Sequence, residues 1–223
     1  MKICVCIGAD WQEQWPQYVS KAELVEFRLD LICPDPTTIV PTTEALKPLL
    51  SEYPHHIILT CRTGTFSQKA RSDLFFDLLP FSPAYIDLAY DTPRSFCAPL
   101  YAAARKCGVK IINSFHDFET TPDRTELCTI AKKALAKGAD IVKIVTKCHN
   151  PSDEARLLSL YKEPDFTNRL IAFSMGHYGL TSRLHAAALG APILYVAPDD
   201  GMATAPGQPR FTQFKEHLLN LLC

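Results

Sequence analysis

The chain has 223 residues, 47% hydrophobic and 21% charged, with 23 Lys+Arg against 24 Asp+Glu and a formal net charge of −1. That length supports one substantial core or two small domains and exceeds what a disulfide-stapled mini-domain needs. The balance excludes a disordered polyelectrolyte, and a net charge near zero gives no global field for gripping nucleic acid, so an anionic ligand must be caught by local charges.

The first predicted strand, Lys2–Ile7, places Cys4 and Cys6 on one face by its period of two. It is too short for a signal-peptide core, no cleavage site follows it, and no apolar run approaches the ~20 residues that span a bilayer. The remaining cysteines, Cys33, Cys61, Cys97, Cys107, Cys128, Cys148 and Cys223, are scattered; their total of nine is odd, and no CxxC occurs. This usage fits reduced thiols in a soluble cytoplasmic protein, not a disulfide framework or a zinc site. Cys148-His149 resembles a metal pair only in isolation, and the other histidines besides His116 read as surface or packing residues.

Seven more short β-branched runs follow: Glu23–Asp30, His56–Arg62, Ala84–Ala89, Lys110–His116, Asp140–Thr146, Leu170–Met175 and Ile193–Ala197. Eight strands at about 28 residues per unit leave room for a helix in each connection. Thr92-Pro93, Thr121-Pro122 and Asn150-Pro151 each put a residue of N-cap type before a proline suited to the first helical position. Gly108, Gly138 and Gly190 stand where a helix should stop. Leu127, Ile130, Ala131, Ala134 and Leu135 follow helical spacing, and Phe211, Phe214, Leu218, Leu221 and Leu222 make the stripe of a last, docking helix. End-to-end alternation leaves a closed (β/α)8 barrel or an open doubly wound sheet. An open nucleotide-binding sheet calls for GxGxxG after an early strand, and none is present. The expected fold is α/β, a (β/α)8 TIM barrel, with residues 1–223 as a single catalytic domain.

Function in such a barrel sits at the carboxyl ends of the strands. Alternation in Val25-Glu26-Phe27-Arg28-Leu29-Asp30 puts Glu26, Arg28 and Asp30 on one face, either into the barrel mouth or, on an edge strand, into solvent. Strand three brings Arg62 after Thr60-Cys61, strand four ends Ile86-Asp87-Leu88, and strand five closes on Ser114-Phe115-His116-Asp117. Strand seven runs into Ser174-Met175-Gly176 with Ser182-Arg183 beyond, and the loop Gly201–Gln208, which holds Thr204, suits a flap over a ligand. Lys143 lies among branched apolar side chains in Asp140–Thr146. Burying an ammonium costs several kcal/mol unless it is paired or deprotonated. Lys143 is therefore a snorkelling lysine, a lysine held by Glu26 or Asp30, or a desolvated amine able to attack a carbonyl. In the last case His116, one strand earlier, would serve beside it as general base and acid.

These residues resemble the type I 3-dehydroquinate dehydratase family over nearly the whole chain. The resemblance rests on Glu26-Phe27-Arg28-Leu29-Asp30, Thr60-Cys61-Arg62, Ser114-Phe115-His116-Asp117-Phe118, Asp140-Ile141-Val142-Lys143-Ile144, Ser174-Met175-Gly176, Ser182-Arg183 and Ala205-Pro206-Gly207-Gln208. It implies a class I aldolase-like barrel in which Lys143 forms an imine with the ketone of 3-dehydroquinate. His116 would then remove the neighbouring proton and protonate the departing hydroxyl, giving 3-dehydroshikimate in the shikimate pathway of aromatic amino-acid biosynthesis. It further implies that Arg183 holds the substrate carboxylate and that Glu26, Arg28, Arg62, Thr204 and Gln208 bind ring hydroxyls and order the flap. Asp30, Asp87 and Met175 would support them from behind, with no metal and no organic cofactor. A homodimer and a fusion to shikimate dehydrogenase are both open to such a chain.

Two features depart from the family pattern. Gly64-Thr65-Phe66-Ser67-Gln68 lacks the glutamate that is expected to orient the histidine, which leaves Asp87, Glu26 or a water for that task; and Asp87-Leu88-Ala89 stands where the family has Asp-x-Glu. A class I aldolase or transaldolase would also use an imine lysine but would want a glycine-rich phosphate cradle after strands seven and eight. A catalytically impaired ligand-binding barrel is the third reading, resting on the two missing carboxylates.

Overall fold

A computed structural model describes residues 1–33, 35–64 and 66–222. Thr65 and Cys223 lie outside the described residues, as does the side chain of Leu222. The strands are β1 (Lys2–Ile7), β2 (Leu24–Arg28), β3 (Ile57–Thr60), β4 (Tyr85–Ala89), β5 (Lys110–Asp117), β6 (Ile141–Lys147), β7 (Leu170–Met175) and β8 (Ile193–Val196). Every recorded pairing is parallel, and β8 returns to lie beside β1, so the order β7-β6-β5-β4-β3-β2-β1-β8 curls into a nearly closed barrel. Parallel strands place all eight carboxyl ends at one rim.

The helices are α1 (Trp11–Tyr18), α2 (Leu29–Ile32), α3 (Ile39–Glu52), α4 (Gln68–Leu78), α5 (Arg94–Lys106), α6 (Arg124–Ala136), α7 (Pro151–Leu158), α8 (Gly179–Ala188) and α9 (Phe211–Leu222). Alternation on β6 and β7 divides their apolar residues between two clusters. On β6, Val142 and Ile144 pack with Leu127, Ile130, Ala131 and Leu157 of α6 and α7, while Ile141 and Val145 join the larger cluster that runs through the rest of the molecule. On β2, Phe27 meets the rings of Trp11 and Trp15 at 5.9 and 5.4 Å, leaving Glu26 to the interior.

The structure redraws some expected boundaries. Strand two stops at Arg28, because the chain turns at once into α2 and Asp30 hooks back onto the Arg28 guanidinium with bonds of 3.0 and 2.6 Å. Asp30 thus reaches the rim from a helix, not from the alternation of a strand. Asn150 caps α7 as expected, accepting from Asp153 N, but α6 begins two residues beyond Pro122. There the Asp123 carboxylate accepts from Glu126 N and wins the cap, while the Thr121 hydroxyl turns to Thr146 and the Lys147 carbonyl. The α5 helix likewise starts at Arg94 with Pro93 in the capping position. Gly108, Gly138 and Gly190 do follow the ends of α5, α6 and α8, all at positive φ. In α9, Phe211, Phe214 and Leu218 are buried and Leu221 is exposed, so the docking stripe is narrower than its spacing suggests. The eight described cysteines are free thiols. Among the described residues no helix is long and apolar enough to cross a membrane.

No ladder joins β7 to β8 among the described residues; a side chain spans that seam. Arg183 of α8 donates from Nε to the Tyr195 carbonyl of β8 at 3.0 Å and from Nη1 to the carbonyls of Ser174 on β7 and Gly179, at 3.2 and 2.6 Å. The planar fork reaches both strands at once, which a single ammonium cannot do. Arg183→Lys is expected to lower unfolding free energy by about 2–4 kcal/mol, because buried carbonyls lose their donors; urea titration measures it, and unchanged stability would refute the seam contact.

Candidate active site

The centre of the barrel is an ion pair. Lys143 on β6 is only 3% exposed, and its Nζ lies 3.2 Å from Asp87 Oδ2 on β4 and 3.8 Å from Glu26 Oε1 on β2. The ammonium also sits 3.6 Å from the centroid of the Tyr195 ring, which offers its negative face. Glu26 is fixed in turn by the Thr60 hydroxyl at 2.7 Å. Burial alone would raise the Glu26 carboxyl, but Lys143, Arg28, Arg62 and the Thr60 hydroxyl together hold it below its ordinary value. Asp87 commits one oxygen to Lys143, and among the described residues its buried Oδ1 has no partner.

Register places the remaining groups. Ser114 is level with Lys143 across the β5–β6 ladder, so His116 stands two residues nearer the rim, opposite Val145. Its Nδ1 lies 2.6 Å from Arg62 Nη1, and Phe118 stacks beside the ring at 6.2 Å between centroids. Burial first, and then the positive charges of Arg62, Lys143 and Arg28, push His116 well below its ordinary value of 6.5.

Above these groups opens a cavity of about 450 Å³ lined by Cys6, Glu26, Arg28, Asp30, Arg62, His116, Phe118, Lys143, Met175, Arg183, Thr204 and Gln208, among others. Arg183 faces it as a fully buried cation with no carboxylate partner among the described residues; burial pulls its guanidinium down to about 10. Its flat face lies 4.1 Å from the Phe173 ring centroid, and its Nη2 makes no recorded bond. An unpaired buried guanidinium with a free donor is a place for a carboxylate.

The loop after β8 covers one side of the cavity. Arg28 Nη1 donates to the Thr204 carbonyl at 3.2 Å, and Thr204 N and Oγ1 both donate to Gln208 Oε1, at 3.0 and 3.1 Å. Gly176 N donates to the Pro206 carbonyl at 3.0 Å. A side chain at Gly179 would collide with the Gly207 carbonyl, and one at Gly207, where φ is +70°, would collide with that of Gly176. Backbone meets backbone here, so the flap's seat depends on missing side chains.

The structure thus gathers Lys143, His116, Glu26, Arg28, Arg62, Arg183, Thr204, Gln208, Asp30 and Met175 around one cavity and places Asp87 behind Lys143, outside the lining. It redistributes their partners. Lys143 is a paired amine rather than an isolated one, held by Glu26 and Asp87, while Asp30 belongs to Arg28. Neither Asp87 nor Glu26 touches His116; Arg62 does. Thr60, Tyr195 and the Cys6 wall were not anticipated as site residues. The inward parity of Tyr195 in Ile193-Leu194-Tyr195-Val196 was the available signal. Among the described residues no three His, Cys, Asp or Glu side chains meet in a group that could hold a metal ion.

Fold and cavity together define a (β/α)8 barrel enzyme with an amine, an imidazole and an unpaired guanidinium at the carboxyl rim. The family model for type I 3-dehydroquinase matches residues 3–221. A 3-dehydroquinate dehydratase from Pyrococcus abyssi is 34% identical over 166 residues, covering 72% of this chain and 74% of that protein. The crystal structure of the 3-dehydroquinate dehydratase from Aquifex aeolicus superposes with a TM-score of 0.82 at 30% identity, covering 99% of this chain and 98% of that one. The dehydroquinate dehydratase and shikimate dehydrogenase structure from S. pombe shares the fold, with a TM-score of 0.81 at 21% identity, over 99% of this chain and 45% of that one. The chain belongs to the type I 3-dehydroquinase family. Its activity is that family's: a hydro-lyase acting on 3-dehydroquinate, which sets aside the aldolase reading.

Gly179→Ala is expected to unseat the flap and lower dehydratase kcat/KM by roughly 10²-fold, the usual cost of a displacement near 1 Å at a reacting site. Steady-state kinetics beside an unchanged unfolding midpoint would show it, and wild-type kinetics would refute the backbone contact.

Proposed function

We propose that Lys143 and His116 carry the reaction and that the surrounding charges fix the substrate. Asp87 takes the proton that the Lys143 ammonium must lose, and the amine attacks the substrate ketone, expelling water and leaving a cationic imine. That cation draws electrons from the adjacent carbon. His116 accepts the proton there, the electron pair forms the new double bond, and the hydroxyl leaves with the proton returned by His116. Hydrolysis of the imine then releases 3-dehydroshikimate and restores the amine. The imine is itself the electron sink, so the chemistry calls for neither metal nor organic cofactor.

The observation that supports this assignment is the grouping of Lys143, His116 and the unpaired Arg183 around one cavity. Arg183 takes the substrate carboxylate while its other nitrogens keep the β7–β8 seam. Glu26, Arg28, Arg62, Thr204 and Gln208 meet the ring hydroxyls, with Asp30 steering Arg28 and Met175 forming part of the wall. Residues 1–223 then act as one catalytic domain of a cytoplasmic enzyme of aromatic amino-acid biosynthesis. Its partner is the small-molecule substrate, with neither nucleic acid nor membrane involved, and a second copy or a linked shikimate dehydrogenase is the protein association we assign to it.

Borohydride added during turnover is expected to leave one reduced ligand mass on the peptide bearing Lys143. Lys143→Ala abolishes the adduct, whereas His116→Ala keeps it and lowers kcat by about 10²–10⁴-fold. Full turnover by Lys143→Ala would refute the imine, and an inactive wild type would restore the reading of an impaired barrel. The pH dependence follows from the depressed His116. Its neutral, proton-accepting form persists as pH falls through 6.5, so the acid limb of kcat/KM lies below that value. Stability follows the same sign: below 6.5 an unfolded histidine takes its proton first, so this group destabilises the fold as pH falls and contributes nothing above. An acid limb at or above 6.5 would contradict the assignment.

A further inference from the structure

Among the described residues His116 has no carboxylate partner, although the cavity holds several. Glu26 is bound by Thr60 and Lys143, Asp87 by Lys143, and Asp30 by Arg28. Asp117, the next residue, turns its carboxylate to the backbone N–H groups of Glu119 and Thr120. Asp91, after β4, lines the cavity without a recorded bond to the ring, as do the Cys6 thiol of β1 and the Tyr195 hydroxyl of β8. The cations facing the ring are Arg28 from β2, Lys143 from β6 and Arg62 from the segment after β3. Of all these, Arg62 alone is bonded to it, through Nδ1 at 2.6 Å.

A guanidinium has donors only and keeps its proton throughout the working pH range. Nδ1 must therefore be the acceptor in this contact, and the proton of the neutral ring must sit on Nε2. Protonation at Nδ1 would set N–H against N–H and break the bond. A neutral ring that carries its proton on Nε2 can take a second one only at Nδ1, the atom that Arg62 covers. In this state the imidazole is correctly placed, but it is unable to act as a base.

We infer that Arg62 latches His116 in the free chain, and that a substrate oxygen, by drawing the guanidinium onto itself, uncovers Nδ1 for proton transfer. The latch presupposes the acid–base role of His116 proposed above and adds that Arg62 is a positioning residue acting through it. Nδ1 then receives the substrate proton, Nε2 keeps its own, and the imidazolium returns the Nδ1 proton to the leaving hydroxyl. The same bond helps to hold the resting ring neutral, so base form is available in the free chain while base activity waits for substrate.

Long-range ¹H–¹⁵N spectra of the full chain with ¹⁵N-labelled histidine test this, with His116 assigned from a His116→Gln sample. The free protein at neutral pH is expected to show a protonated Nε2 and an unprotonated Nδ1. After borohydride trapping with 3-dehydroquinate, Nε2 should stay protonated while the Nδ1 resonance moves to that of a nitrogen freed from the Arg62 bond. Arg62→Met is expected to release the tautomer in the free protein and move the His116 titration midpoint, together with the acid limb of kcat/KM, up toward 6.5. A proton fixed on Nδ1 in the free wild type would overturn the latch, as would a midpoint and tautomer unmoved in Arg62→Met or an Nδ1 resonance unmoved by trapping. Absence of the Lys143 adduct would instead sink the imine, and the spectra of free wild type and Arg62→Met would still decide the Arg62 contact.

Discussion

A lysine ammonium almost fully removed from water sets the terms for the rest of this molecule. Each buried ion costs several kcal/mol in lost hydration, a debt that only close counter-charges and good hydrogen bonds offset. Lys143 meets it with Asp87, Glu26 and the face of Tyr195, drawn from β4, β2 and β8. Those strands are brought together only by closing the sheet, so the charge at the centre and the closure of the barrel are one problem with one solution. Glu26 then needs Thr60, which ties β3 into the same network.

The other cations are each satisfied in a different way, and the differences define the chemistry. Arg28 has a carboxylate of its own in Asp30 and can lend its remaining donor to the flap through the Thr204 carbonyl. Arg183 has carbonyl oxygens in place of a counterion, which occupy its Nε and Nη1 donors but leave its charge without a carboxylate among the described residues. Arg62 has an imidazole. Two guanidinium groups with no carboxylate bond among the described residues line this cavity and make an anionic, oxygen-rich substrate the natural complement, despite a chain whose overall charge is nearly zero.

Opposite the ion pair, the flap is seated by the closeness of backbone to backbone at Gly176, Gly179 and Gly207. Arg28 and Gln208 hold its near side. The enclosure is thus made partly from charge and partly from the absence of side chains.

Much of this was legible in the residue order. The eight β-branched runs, the helix-stopping glycines and the inward parity of Glu26, Lys143 and His116 follow from local chemistry and period, because side-chain direction on a strand is fixed by alternation. The short motifs on those strands were enough to suggest the family, which the family model then showed. Partner choice was not legible. Asp30 left the strand for a helix and took Arg28, Asp87 went to Lys143 rather than to His116, and Arg62 took the histidine. Such pairings join residues tens of positions apart and are settled by ångström-scale distances that depend on how the barrel curls. The sequence by itself determined which groups stand at the rim; only the tertiary structure decided which of them touch, because Coulomb and hydrogen-bond energies depend on separations that no spacing along the chain encodes.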